Sequence, residues 1–199
     1  MKQGFYIAAI GLAFISCTNY KMTKNEQKLI NNGSADEPFP VLLITNEKDS
    51  LVLRKECRDV EWGSDMSDLH MLIKRMKTTM DTAGGIGIAA PQIGISRNIF
   101  LFVRLDKEDM PVQVAINPKI ITHSEESFCF EGDGCLSIPN VSGTSRRYSW
   151  VEVEYQNESG ELIREKLYGG SRGEDFTAVI FLHEFDHLRG ILFTDKFCE

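Results

Sequence analysis

Apolar residues recur at three-to-four spacing in Met66, Leu69, Leu72, Ile73, Met76 and Met80, which predicts an amphipathic helix capped at its start by Ser64. The methionines of that stripe read as core packing. Residues 98–104 and 112–116 are apolar runs of strand length. Val151-Glu152-Val153-Glu154-Tyr155 alternates strictly, and residues 157–160 supply a turn before 162–167, so this stretch predicts a hairpin. A second helical stretch carries Phe176, Val179, Ile180 and Leu182, is stopped by Gly190, and is followed by Ile191 and Leu192. It is among the most apolar in the chain, and only a brief tail follows it. Short strands flanked by helices, with this helix last, predict an α+β fold: antiparallel sheets around a central helix.

The central helix carries His183-Glu184-Phe185-Asp186-His187. Histidines four positions apart share one helix face, about 6 Å apart along the axis at a rise of about 1.5 Å per residue. Both imidazoles can reach one metal ion, and Glu184 is then held beside the ion as a general base. A solvated polar face is the plainer reading of an H-E-x-x-H match. Charged and imidazole groups in so apolar a segment are costly to bury unless paired or bound to metal, which favours the metal.

Two histidines leave the ion short of ligands, since a catalytic site commonly has three plus an open position. Downstream the chain offers only Asp195 and Glu199; upstream stands Cys135, within Gly134-Cys135-Leu136-Ser137. A thiolate is the stronger donor for a soft or borderline ion. A third segment, Gly84-Gly85-Ile86-Gly87-Ile88-Ala89-Ala90-Pro91-Gln92, describes backbone that passes close to something. It is no phosphate loop, because no Lys-Ser/Thr pair follows.

These three segments, in this order, match G-x-G-x-A-A-x-Q, E-G-C-L-S and H-E-x-D-H, and the chain resembles bacterial peptide deformylases from about Phe39 to Phe197. Asp133 departs from the glutamate usual there. The resemblance implies a deformylase-like α+β fold and a divalent ion held by Cys135, His183 and His187. It implies Fe2+ as the ion, with Zn2+, Ni2+ or Co2+ accepted by the same donors. The implied reaction is removal of the formyl group from N-formylmethionyl peptides, releasing formate. Glu184 is implied as proton carrier, with the Gln92 amide and the Leu136 N–H as oxyanion donors. Ile86, Gly87 and Ile88 are implied to run beside the peptide, with Val179 and Ile180 lining the methionine site. Arg147 is read as a surface arginine unless it orients groups near Cys135.

Length and composition fit one catalytic domain over residues 39–199, at 199 residues and 42% hydrophobic content. A formal net charge of −7 argues against nucleic acid as a main partner. At the amino terminus, Lys2 precedes an apolar stretch over residues 5–15, then Ser16-Cys17. Residues 1–17 therefore read as a lipoprotein-like signal peptide too short to span a bilayer, with Cys17 lipidated for membrane attachment. Polar residues 18–38 read as a flexible tether, and the expected location is extracytoplasmic; the alternative is an uncleaved extension on a cytoplasmic enzyme. Setting aside Cys17 and Cys135 leaves Cys57, Cys129 and Cys198, an odd number that defines no disulfide scheme. Two rival functions stand beside the deformylase: a zinc endopeptidase, and a lipoprotein that binds formyl peptides without turnover.

Overall fold

The computed structural model describes residues 21–63 and 65–198. The signal-like segment, Cys17 and the proposed cap Ser64 lie outside the described residues. Among the described residues, seven strands form two antiparallel sheets. The larger has the order β1 (Gly87–Ala89), β2 (Ile99–Val103), β3 (Val112–His123), β6 (Trp150–Gln156), β7 (Leu162–Tyr168). The smaller pairs β4 (Ser127–Cys135) with β5 (Ile138–Tyr148). The expected α+β architecture with antiparallel sheets is therefore what the chain adopts.

Strand β2 shows why the larger sheet is covered on both faces. Successive side chains of a strand point to opposite faces. Ile99 and Leu101 pack with Leu69, Leu72, Ile73 and Met76 of helix α3 (Ser67–Thr82). Phe100 and Phe102 pack on the other face with helix α4 (Thr177–Leu188), where both rings meet Phe181 edge-on at 4.9 and 5.4 Å. Every residue of α4 except Phe185 is buried, so this helix is the core of the molecule. Gly190 ends it in the left-handed region at φ 69°, hard against the Arg54 backbone. Among the described residues, no helix is long and apolar enough to cross a membrane.

Helix α3 begins after Met66 without a side-chain cap; Asp65 Oδ1 instead accepts from the Ser67 N–H at 3.0 Å. The hairpin of β6 and β7 forms as expected, its turn held by Asn157 Oδ1 accepting from Ser159 and Glu161 N–H. Strand β3 runs seven residues beyond its expected end at 116. Asn117-Pro118 breaks the apolar pattern, but the chain absorbs it as a register shift, with Asn117 at φ 51°.

From residue 21 onward the expected tether is docked, which corrects that reading. Helices α1 (Lys24–Ile30) and α2 (Glu47–Leu53) precede α3; α1 opens on a capping box between Thr23 and Glu26, and its Ile30 is fully buried against α3. Glu26 Oε2 pairs with the buried Arg97 at 2.8 Å, and Arg75 donates to the Leu29, Ile30 and Glu37 carbonyls. The polar composition suggested solvent, yet these polar groups serve as caps and ion pairs. The cysteines pair as well: Cys129 on β4 is bonded to Cys198, while Cys57 and Cys135 are free thiols. The odd count arises because burial keeps Cys57 apart, pushing its thiol up to about 12.

Candidate metal centre

Two elements bring the three donor atoms together. Helix α4 supplies His183 and His187, and the end of β4 supplies Cys135, with all three ligand atoms within 4.8 Å of one another. Cys135 Sγ lies 3.2 Å from His187 Nε2. Register shifts between Phe130 and Asp133, and again between Gly134 and Cys135, deflect β4 at this point, and Gly132 takes φ 74°.

Asp133, which stands where a glutamate is usual, orients the first histidine and anchors a buried polar cluster. Its Oδ1 accepts from His183 Nδ1 at 2.9 Å, which leaves Nε2 with its lone pair facing the other donors. Its Oδ2 takes the Ser145 hydroxyl and Arg147 Nη2, the latter at 2.7 Å. Burial would raise the Asp133 carboxyl, but His183, Arg147 and Ser145 outweigh it and hold the group well below the usual carboxylate range. Arg147 is 2% exposed, not a surface residue, and it also donates to Asp186 Oδ2 at 2.7 Å. Burial first, helped by the Arg147 guanidinium, holds the His187 imidazole well below its usual value, which favours the neutral form a ligand needs. A borderline divalent ion fits this set: one thiol and two oriented imidazoles, with a carboxylate fixing one tautomer.

Glu184 sits beside this cluster at 4% exposure, and its Oε2 has no hydrogen-bond partner. Burial pushes its carboxyl up to about 7, with His183 and Arg147 opposing and Asp133 and Asp186 adding to the shift. The glycine string is explained by this carboxylate. A Cβ on Gly87 would lie 2.8 Å from Glu184 Cδ, so glycine is what lets β1 pass here with the carboxylate left in place. A Cβ on Gly85 would press on Leu136 at 3.1 Å. Gln92 is buried, accepts from the Ala89 N–H at 2.8 Å through Oε1, and points Nε2 at Cys135 Sγ (3.5 Å) and Ser137 Oγ (3.3 Å).

A cleft of about 420 Å³ opens over this cluster, and Ile86, Gly87, Gln92, Leu136, Val179, Ile180, His183 and Glu184 all line it. Ile88 does not: it is fully buried on the α3 side of the sheet, as alternation along β1 requires. Strand β1 is an edge of the sheet. With the Ile86 carbonyl accepting from the Val103 N–H, alternation turns the Gly87 backbone groups outwards along the cleft. The sequence reading missed Phe130, Phe176 and Arg172 in the cleft wall; Arg172 stands 5.5 and 5.8 Å over those two rings and donates to the Gly132 carbonyl. No periodic signal marks them, since Phe130 is on an irregular strand and the other two precede α4.

Comparison with known proteins agrees with this geometry. The sequence model of the polypeptide deformylase family matches residues 41–199. The peptide deformylase of Pseudothermotoga lettingae is 42% identical over 144 residues, 72% of this chain and 76% of that protein. That of Synechocystis is 35% identical over 169 residues, 84% of each. The crystal structure of the Thermotoga maritima peptide deformylase superposes with a TM-score of 0.71 at 32% identity, covering 82% of this chain and 99% of that one. A Met-Ala-Ser-bound peptide deformylase from Acinetobacter baumannii gives 0.69 at 31% identity over 81% of this chain and 99% of its own. The chain belongs to the polypeptide deformylase family of metal-dependent hydrolases.

Proposed function

We propose that the chain removes the formyl group from N-formylmethionyl peptides, water splitting the amide into formate and a free amino terminus. The observation that carries this reading is the unpartnered Glu184 carboxyl oxygen beside a Cys135–His183–His187 cluster, on the floor of a cleft with an open strand edge. In this reading Cys135, His183 and His187 hold one divalent ion, which we take to be Fe2+, with Zn2+, Ni2+ and Co2+ accepted by the same donors. When bound, such an ion supplies Lewis-acid chemistry and brings the acidity of water near neutrality.

The chain's own groups do the rest. Glu184, buried beside the cluster with one carboxyl oxygen unpartnered, accepts a proton from water and returns it to the departing amine. The Gln92 Nε2 and the Leu136 N–H donate to the oxygen that gains charge at the formyl carbon, each worth about 3 kcal/mol in the transition state. The peptide runs along the outward backbone of Gly87 as an added strand, beside Ile86. Val179 and Ile180 receive the methionine side chain, with Phe130 and Phe176 completing an apolar wall.

The test is formate release from formyl-Met-Ala-Ser by anaerobically prepared, Fe2+-loaded protein. Formate that disappears in Glu184→Gln supports the deformylase; internal peptide fragments would point to an endopeptidase, and retention without products to a binding protein. We further propose an exported enzyme, anchored through Cys17. The signal-like residues 1–17 and the Cys129–Cys198 disulfide support this, since disulfides persist in oxidising compartments. Full-length, unlipidated protein found only in the cytosolic fraction would end that reading.

A further inference from the structure

The segment after α4 lies behind the metal centre, away from the cleft. Phe193 is 1% exposed, its ring stacks on the His183 imidazole with centroids 6.0 Å apart at 26°, and it shares an apolar cluster with Cys135. Three residues on, Lys196 Nζ reaches Asp186 Oδ1 at 2.8 Å. Asp186 in turn holds Arg147, Arg147 holds Asp133, and Asp133 orients His183. An apolar route and an ionic route thus lead from residues 193–196 to the same imidazole.

Beyond the buried Phe193, the segment is held through partly solvated groups. Lys196 and Asp195 have side chains 33% and 38% exposed, and Phe197 is 44% exposed. Half-solvated ion pairs contribute little. Phe197 packs on Phe193 at 5.4 Å and lies over Gly143, where a Cβ would come within 2.7 Å of its ring. The Cys198 N–H donates to the Thr144 carbonyl at 2.9 Å. The covalent tie is the Cys198 bond to Cys129 on β4, the strand that ends in Cys135.

We propose that the Cys129–Cys198 disulfide is a redox-sensitive clasp that holds residues 193–198 against His183, so that reducing it loosens the centre's grip on its ion. The proposal rests on the metal-centre reading above. Phe193 and Lys196 are then positioning residues for His183, acting without touching substrate. Reduction balances with a phosphine: one trialkylphosphine and one water convert the S–S bond into two thiols and a phosphine oxide. Cys135, already a thiol, is untouched by that step.

The experiment uses the full chain loaded with Co2+. Metal content, the cobalt–thiolate absorption band and the rate of Co2+ loss to excess chelator are read for three samples: oxidised wild type, phosphine-reduced wild type and Cys198→Ser. The reduced and variant proteins are expected to lose Co2+ about tenfold faster, with a shifted band. Lys196→Met with the disulfide intact is expected to move in the same direction. Equal loss rates and identical bands in oxidised and reduced wild type overturn the clasp, as does a non-reduced intact mass showing both thiols free. Oxidised protein that takes up no Co2+ at all refutes the metal centre itself, and the clasp with it.

Discussion

Gly87→Ala isolates the placement of Glu184 from every other feature of the site. Gly87 does not lie in the left-handed region, so alanine fits its backbone, and the only cost is steric. The new Cβ would stand 2.8 Å from Glu184 Cδ and 2.9 Å from its Cγ, where ordinary contacts begin at 3.4 Å. The carboxyl must therefore retreat by about 0.6 Å or more, and α4 is too tightly buried to move with it. A misplacement of about 1 Å at a reacting group costs on the order of 10²-fold in rate. The assay is steady-state formate release from formyl-Met-Ala-Ser, with metal content and melting temperature measured on the same preparation. The expected result is a kcat lower by about 10²-fold with one ion still bound and the fold intact. Wild-type kcat in Gly87→Ala would refute the argument that Glu184 acts from where it stands.

Other outcomes follow from neighbouring parts of the structure. Gln92→Leu removes one donor to the developing oxyanion and is expected to lower kcat by about 10²-fold, read in the same formate assay. Asp133→Asn replaces the carboxylate that orients His183 and is expected to weaken metal binding about tenfold or more, measured by competition with a chelator. Phe181→Ala empties the ring packed edge-on against Phe100 and Phe102 and is expected to cost about 3–5 kcal/mol in denaturant unfolding. Burial raises the Glu26 carboxyl, but the Arg97 hydrogen bond and the Thr23 N–H outweigh it, so its folded pKa lies below 4.5. The stability it contributes is present above 4.5 and fades as pH falls through the folded value. Thermal unfolding of Glu26→Gln should therefore trail the wild type at neutral pH and converge with it in acid.

The metal trio was legible because helical periodicity places His183 and His187 on one face, and because Cys135 stood in a motif with its own signature. Strands β2, β6 and β7 were legible for the same kind of reason, a period of two or an unbroken apolar run. The hairpin of β4 and β5 was not, because its register shifts and its glycines erase the period. That loss also hid Arg147, whose burial depends on which residue faces it across the hairpin and on α4. Helix α1 was missed because a capping box and the Glu26–Arg97 pair look, in sequence, like solvated charge. The resemblance sets Ile86, Gly87 and Ile88 beside the peptide; alternation along β1 turns the Ile88 side chain to the α3 core, which the resemblance alone did not say.

X-ray absorption at the metal edge of the anaerobically loaded protein tests the central claim most directly. The account predicts one sulfur and two imidazole nitrogens around the ion, with the sulfur signal lost in Cys135→Ser. A coordination shell without sulfur in the wild-type protein would contradict it.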